Sequence, residues 1–243
     1  MELPDYWLSR PGVEGPDVRA SFDHTWDRAI ASGDCPLIEV EPALRWQFLC
    51  HLADARGFVL HGSGDPGIDV FEPRQAIDLS GFGNQKAVYA AGDGIWAMFF
   101  AIVDRDRVLS VTNACVRLAD SAGKVTPPRY VFSISRPELP NRPWRSGTVY
   151  VLPGDSFTLQ PPLRFGEFEV RIPQLASFEA VRPVARVAVE PADFPFPSQI
   201  RGHDDDRLAE YARALETGAP GPSSVTPTMP LYLAISPVGF WAG

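Results

Sequence analysis

The sequence predicts an α+β domain, and three observations carry that reading. Of the 243 residues, 45% are hydrophobic, enough apolar material for a real core. The 25 prolines and 20 glycines interrupt that material too often for long helices. Helical spacing is confined to a few segments, while short β-prone runs bounded by Pro and Gly fill most of the chain after residue 107.

The opening 35 residues carry Pro4, Pro11 and Pro16 among Tyr6, Trp7, Phe22 and Trp26. They read as an irregular arm pinned by aromatic rings, with a short helix over 22–32. From Glu41 the pattern becomes helical. Pro42 suits a first turn, Leu44, Phe48, Leu52 and Ala55 recur near helical spacing, and Gly57 is the stop. A buried strand over 58–61 ends in His-Gly-Ser, followed by a turn-rich stretch at 64–67 and a loop through Phe82-Gly83-Asn84. A second short strand covers 87–90. Asp93 then caps a helix whose Ile95, Trp96, Phe99, Phe100, Ile102 and Val103 are apolar all round, so it packs against the sheet.

Further strands are expected at 108–112, 130–135, 148–152, 168–172 and 184–189. The prolines of 193–197 force an extended run. An amphipathic helix over 204–215, a link over 218–227 and an apolar tail over 231–241 that returns to the body complete the reading. The chain divides into an arm with helical decoration (1–57), a core (58–200) and a C-terminal helix and tail (201–243), all within one structural unit.

Thirty acidic residues against 22 basic ones give a net charge of -8, which argues against a broad nucleic-acid face or an anionic bilayer partner. The first residues lack the basic-then-apolar order of a signal peptide, and no apolar run reaches the roughly 18 residues of a membrane span, so a soluble, cytoplasmic chain is expected. Cys35, Cys50 and Cys115 form no CxxC or CxxH pair and read as buried thiols. His203-Asp204-Asp205-Asp206 lacks a second ligand cluster, so capping and solvation are expected there and no metal. A phosphate loop of the GxxxxGK type and a GxSxG elbow are both missing from the sequence.

The densest local constellation is Leu60-His61-Gly62-Ser63, with Val88-Tyr89-Ala90 about 28 residues later and Asp93 opening a helix behind it. A histidine, an aromatic platform and exposed amides suit a flat, polar ligand. A satisfied structural histidine and a packed core tyrosine are the competing readings. Arg74, Lys86 and Arg129 are candidates for a diphosphate, with surface charge as the alternative.

His61-Gly62-Ser63, then Tyr89-Ala90 and the helix over 93–103, resembles the ADP-ribosyltransferase superfamily, above all the branch of poly(ADP-ribose) polymerases and other histidine-tyrosine-glutamate transferases. The wider string from Leu60 through Phe71-Glu72-Pro73-Arg74 to Trp96-Ala97-Met98-Phe99-Phe100, with Asp193-Phe194-Pro195-Phe196, also looks like a bacterial family with that fold, over about 58–200. The resemblance implies a split antiparallel β-sheet core with flanking helices, and NAD as cosubstrate. It implies that His61 bonds the adenosine-side ribose, that the Gly62 backbone meets the nicotinamide carboxamide, that Tyr89 stacks near the nicotinamide ring and that Ser63 adds a hydroxyl contact. A carboxylate from a later strand would stabilise the cationic state as nicotinamide leaves.

Two positions compete for that acid. Glu167 and Glu169 flank Phe168, so strand alternation points both to one face, as in the paired glutamates of arginine-directed transferases. Gln174-Leu175-Ala176-Ser177 is where the resembling family carries its acid, and here the first position is glutamine, which binds hydroxyls but supplies no charge. The expected function is an NAD-binding, ADP-ribosyltransferase-like protein that transfers an ADP-ribosyl group or hydrolyses NAD. The alternative is a non-catalytic NAD- or ADP-ribose-binding or protein-interaction domain of the same fold, with 231–241 as a surface for a protein partner or self-association. RNA 2'-phosphate transfer ranks third for want of a basic cluster. The acceptor stays open.

Overall fold

The computed structural model describes residues 6–12, 15–76, 81–165, 168–208 and 236–237. In chain order the strands are β1 (Leu8–Ser9), β2 (Val59–Ser63), β3 (Arg74–Gln75), β4 (Lys86–Ala91), β5 (Val111–Ala119), β6 (Arg129–Ser135), β7 (Gly147–Leu152), β8 (Thr158–Leu159), β9 (Leu163–Phe165), β10 (Phe168–Arg171), β11 (Gln174–Ser177), β12 (Ala185–Val189), β13 (Arg201–His203) and β14 (Ser236–Pro237). The α-helices are α1 (Pro16–Ile30), α2 (Arg45–Arg56) and α3 (Gly94–Ile102).

The strands form two sheets. One runs β1-β6-β5-β10-β9, with β13 beside β6 and β14 beside β5; the other runs β12-β7-β2-β4-β11-β8, with β3 beside β4. Pairing is antiparallel throughout except for β13 on β6. The fold is thus mixed α and β, with two antiparallel sheets and helices packed on them.

Helix α3 lies between the sheets. All nine of its residues are buried, in one core with Leu60, Val149, Val151 and Val187 from one sheet and Val111, Tyr130, Phe132 and Ile134 from the other. Phe99 sits 4.6 Å from the Phe132 ring and 5.9 Å from Phe194, and fully burying such a side chain contributes roughly 1.5–3 kcal/mol. The sequence feature that lets α3 approach is small residues on the facing strands. A Cβ at Gly62 would fall 2.0 Å from the Ala97 carbonyl oxygen, and one at Gly147 would fall 2.2 Å from that of Ala101.

The expected stop of α2 and start of α3 hold, while Pro42 opens a 3₁₀ turn, Pro42–Leu44, that leads into α2 at Arg45. Gly57 ends α2 in the left-handed region, at φ 72°. The Asp93 side chain accepts from Trp96 N at 2.9 Å and opens α3. The arm departs from expectation: Pro16 starts a helix of 15 residues where a shorter one over 22–32 was expected. It is also no decoration, because Leu8 pairs with Tyr130 in β6 and Phe22 and Trp26 enter the main core.

Strand β5 runs to Ala119, seven residues beyond the expected end at Thr112. Polar Thr112 and Asn113 disguise it in the sequence. In the fold the Trp96 indole donates to Asn113 Oδ1, which satisfies the oxygen of that buried amide, while its Nδ2 is buried without a partner. Cys50 and Cys115 are buried as expected, but Cys35 is only half-buried. Of the 204–215 helix, the described part is a 3₁₀ turn, Asp205–Arg207, followed by helical Leu208; 209–215, the 218–227 link and most of the 231–241 tail lie outside the described residues. No described helix is long and apolar enough to cross a membrane.

Candidate functional site

The strands that carry the motif residues are neighbours. β2 brings His61, Gly62 and Ser63, β4 brings Tyr89, and β11 brings Gln174. β4 meets β2 only at Ala91 opposite Leu60, whereas β2 stays paired with β7 through Ser63 opposite Thr148. Beyond Leu60 the two motif strands therefore part. His61 spans the gap: its Nδ1 lies 2.8 Å from the Tyr89 carbonyl oxygen. A carbonyl only accepts, so Nδ1 carries the proton and Nε2 is an acceptor.

The imidazole is buried, and its ring centre lies 4.5 Å from that of Phe71. Burial pulls the His61 pKa down to about 4; the bond to Tyr89 opposes the shift and the Arg74 charge adds to it. At neutral pH His61 is uncharged. Phe71 reaches this position through a two-way backbone bridge with Val181, at 2.8 and 2.9 Å. Ser63 Oγ accepts from Asp65 N at 3.1 Å and closes the turn after β2. The Tyr150 hydroxyl, opposite His61 in β7, donates to Asp65 O at 2.7 Å and accepts from Ile68 N at 2.9 Å.

The register decides which side chains can meet. Leu60 opposite Ala91, both in the α3-side core, fixes the faces. Counting by twos puts Tyr89 on the α3 face of β4 and His61 and Ser63 on the far face of β2. Gln174 is opposite Ala91 and Ala176 opposite Tyr89, so Gln174 shares the Tyr89 face. The structure thus does not bring the His61 and Tyr89 rings to one face. Nor is Tyr89 an open platform: its ring packs with Ala76, Ala87 and Ala176, and its hydroxyl accepts from Gln85 N at 2.9 Å and donates to Phe82 O at 2.9 Å, closing the 82–85 turn. Gly62 turns its Cα hydrogens toward Ala97, so close packing of α3 by itself accounts for that glycine.

The candidate acids fall elsewhere. Glu169 lies on β10, in the other sheet, between Ala119 of β5 and Arg164 of β9. It accepts from Arg171 Nε at 2.6 Å and is half-buried. The chain changes sheets between β10 and β11 across only Ile172 and Pro173, which is why Glu169 and Gln174 are close in sequence and divided in the fold. Glu167 lies outside the described residues. Arg74 begins the exposed strand β3, opposite Ala87.

Two arrangements were invisible in the sequence because their parts are far apart in it. Asp204 caps the following turn as expected, accepting from Asp206 N at 3.2 Å, but His203 is not a solvated residue: its Nε2 lies 2.6 Å from Ser110 Oγ and its Nδ1 2.7 Å from Ser133 Oγ. Asp205 joins the same group through Ser110 and Ser135, fastening β13 and the following turn to β6. The carboxylate hydrogen-bonds the serines and stands 3.6 Å from the ring nitrogen, so the group forms a polar staple between the two segments. The second arrangement is Arg145, whose guanidinium lies on Gly64 at the end of β2. Among the described residues no group of three His, Cys, Asp or Glu side chains could hold a metal ion. No family model, curated protein or solved structure matches the chain.

Proposed function

We propose that the chain is an ADP-ribosyltransferase-like domain that binds NAD, or the ADP-ribosyl group alone, without transferring it. The observation that carries this reading is Gln174. The strand beside β4, in the sheet that holds His61 and Tyr89, begins with a buried amide where the resemblance calls for a carboxylate. An amide can hold a ribose hydroxyl but adds no negative charge to stabilise a developing cation. Glu169 does not replace it, being in the other sheet and paired with Arg171.

Binding draws support from His61. Its neutral ring, held by Tyr89 O, stands at the point where β2 and β4 separate and the sheet leaves room beside the motif. The role of Tyr89 in this reading is to fix that separation through the 82–85 turn, not to stack on the ligand. Calorimetric titration of the folded protein with NAD and with ADP-ribose, paired with a nicotinamide-release assay, tests it. Binding with no nicotinamide release is expected. Absence of binding by both ligands would overturn the reading, and release that Glu169→Gln abolishes would return the chain to the transferases.

A further inference from the structure

At the C-terminal end of α3 two guanidinium groups meet with less negative charge than they carry. The backbone N–H of Arg145 donates to Ile102 O at 2.9 Å, and Trp144 bridges to Val103 just beyond the helix. The Arg145 guanidinium lies flat on Gly64: a Cβ there would fall 2.1 Å from its Cζ and 2.3 Å from its Nε. Its Nε–H is buried without a hydrogen-bond acceptor. Asp104 is its only carboxylate within 4 Å among the described residues, at 3.9 Å, too far for a hydrogen bond.

Arg105 shares this neighbourhood. Its Cζ lies 5.7 Å from the centre of the Phe100 ring, and among the described residues no carboxylate lies within ion-pair distance of it. Burial first, then repulsion from Arg145, pulls its pKa down to about 10, so it stays charged at neutral pH. The last turn of α3 offsets about half a unit of positive charge. Asp104 offsets one more, and Asp106 and Arg107, both exposed, cancel each other. Glu190 approaches next to Arg145, on Ser146 at 2.6 Å, and forms no ion pair with either arginine; the Arg145 Nε–H stays a buried donor without an acceptor, on a side chain that is one-third exposed.

We propose that Arg105 and Arg145 form an anion site that takes a phosphate group, free or carried on a small molecule. Guanidinium forks match the paired oxygens of phosphate, and charge-assisted bonds to it satisfy donors that the protein leaves open. The site does not depend on NAD binding at the β2–β4 gap, and inorganic phosphate alone tests it.

The experiment is calorimetric titration of inorganic phosphate into the full chain in a low-salt, chloride-poor buffer. Saturable binding is expected, weakened about tenfold or more by Arg145→Gln and by Arg105→Gln through loss of charge-assisted bonds. Gly64→Ala should weaken it as well, since the atoms nearest the added methyl are those of the flexible guanidinium, which it pushes aside. Circular dichroism and thermal unfolding confirm that each variant is folded. Unchanged affinity in folded Arg145→Gln and Gly64→Ala, or no saturable binding by the parent protein, would sink the proposal.

Discussion

At the N-terminal end of α3, Arg10 gives one nitrogen each to Asp54, Asp93 and Tyr130, the last at 2.9 Å; Asp93 also accepts from the Tyr130 hydroxyl at 2.8 Å. At the C-terminal end, Arg145 keeps a buried N–H without an acceptor and Arg105 has no carboxylate partner among the described residues. The difference teaches how to read a buried arginine. Where each nitrogen has a partner, the charge is spent on the fold, here in tying the arm to the helix. Where donors are left over, the protein holds charge that a ligand can satisfy.

The comparison breaks most directly at Asp93. Asp93→Ala removes the α3 cap and leaves Arg10 and Tyr130 without their shared acceptor, so a loss of about 3–5 kcal/mol in urea unfolding is expected. A loss below about 1 kcal/mol would show that Arg10 is not locked in place, since it would then be behaving as a surface charge does.

Next comes the pH response of His61. The native ring titrates at about 4 and the unfolded one near its ordinary 6.5, so between those values the unfolded chain binds a proton that the folded one refuses. Stability should therefore fall as the pH drops from about 6.5 to 4, by on the order of 3 kcal/mol from this residue. The difference between parent and His61→Gln across that window measures it; parallel curves would mean that the ring is hydrated.

Gly62→Ala should cost about 1–3 kcal/mol, because the new methyl meets the rigid α3 backbone at Ala97. Gly64→Ala, two residues away, meets only a movable side chain and should cost far less. Smallest of all, Arg145→Gln should shift stability by no more than about 0.5 kcal/mol, in contrast to Asp93→Ala. A larger loss would place Arg145 with Arg10, as a structural group.

How much was legible follows from how local each signal is. Pro42, Gly57 and Asp93 act on their own helix ends, so α2 and α3 could be bounded from the sequence. The α1 start at Pro16 was also written there, but scattered prolines concealed it. β5 could not be followed past Thr112, since the partner of the buried Asn113 oxygen, the Trp96 indole, comes from a separate helix. The candidate site divided in the same way. His61, Tyr89 and Gln174 were found by motif and do lie on adjacent strands; Phe71 was quoted in the wider string, but its place beside His61 comes from long-range pairing with Val181, and Arg105 and Arg145 carry no motif.

By itself the sequence determined the α+β class, two of the three described α-helices and the positions of most longer strands, because period, caps and breakers are properties of neighbouring residues. Only the tertiary structure decided which face each side chain takes and which sheet each strand joins. A side chain's face depends on register, and register is set by partners far along the chain. That is why Glu169 and Gln174, five positions apart, belong to different sheets, and why His61 and Tyr89, joined by one hydrogen bond, point to opposite faces.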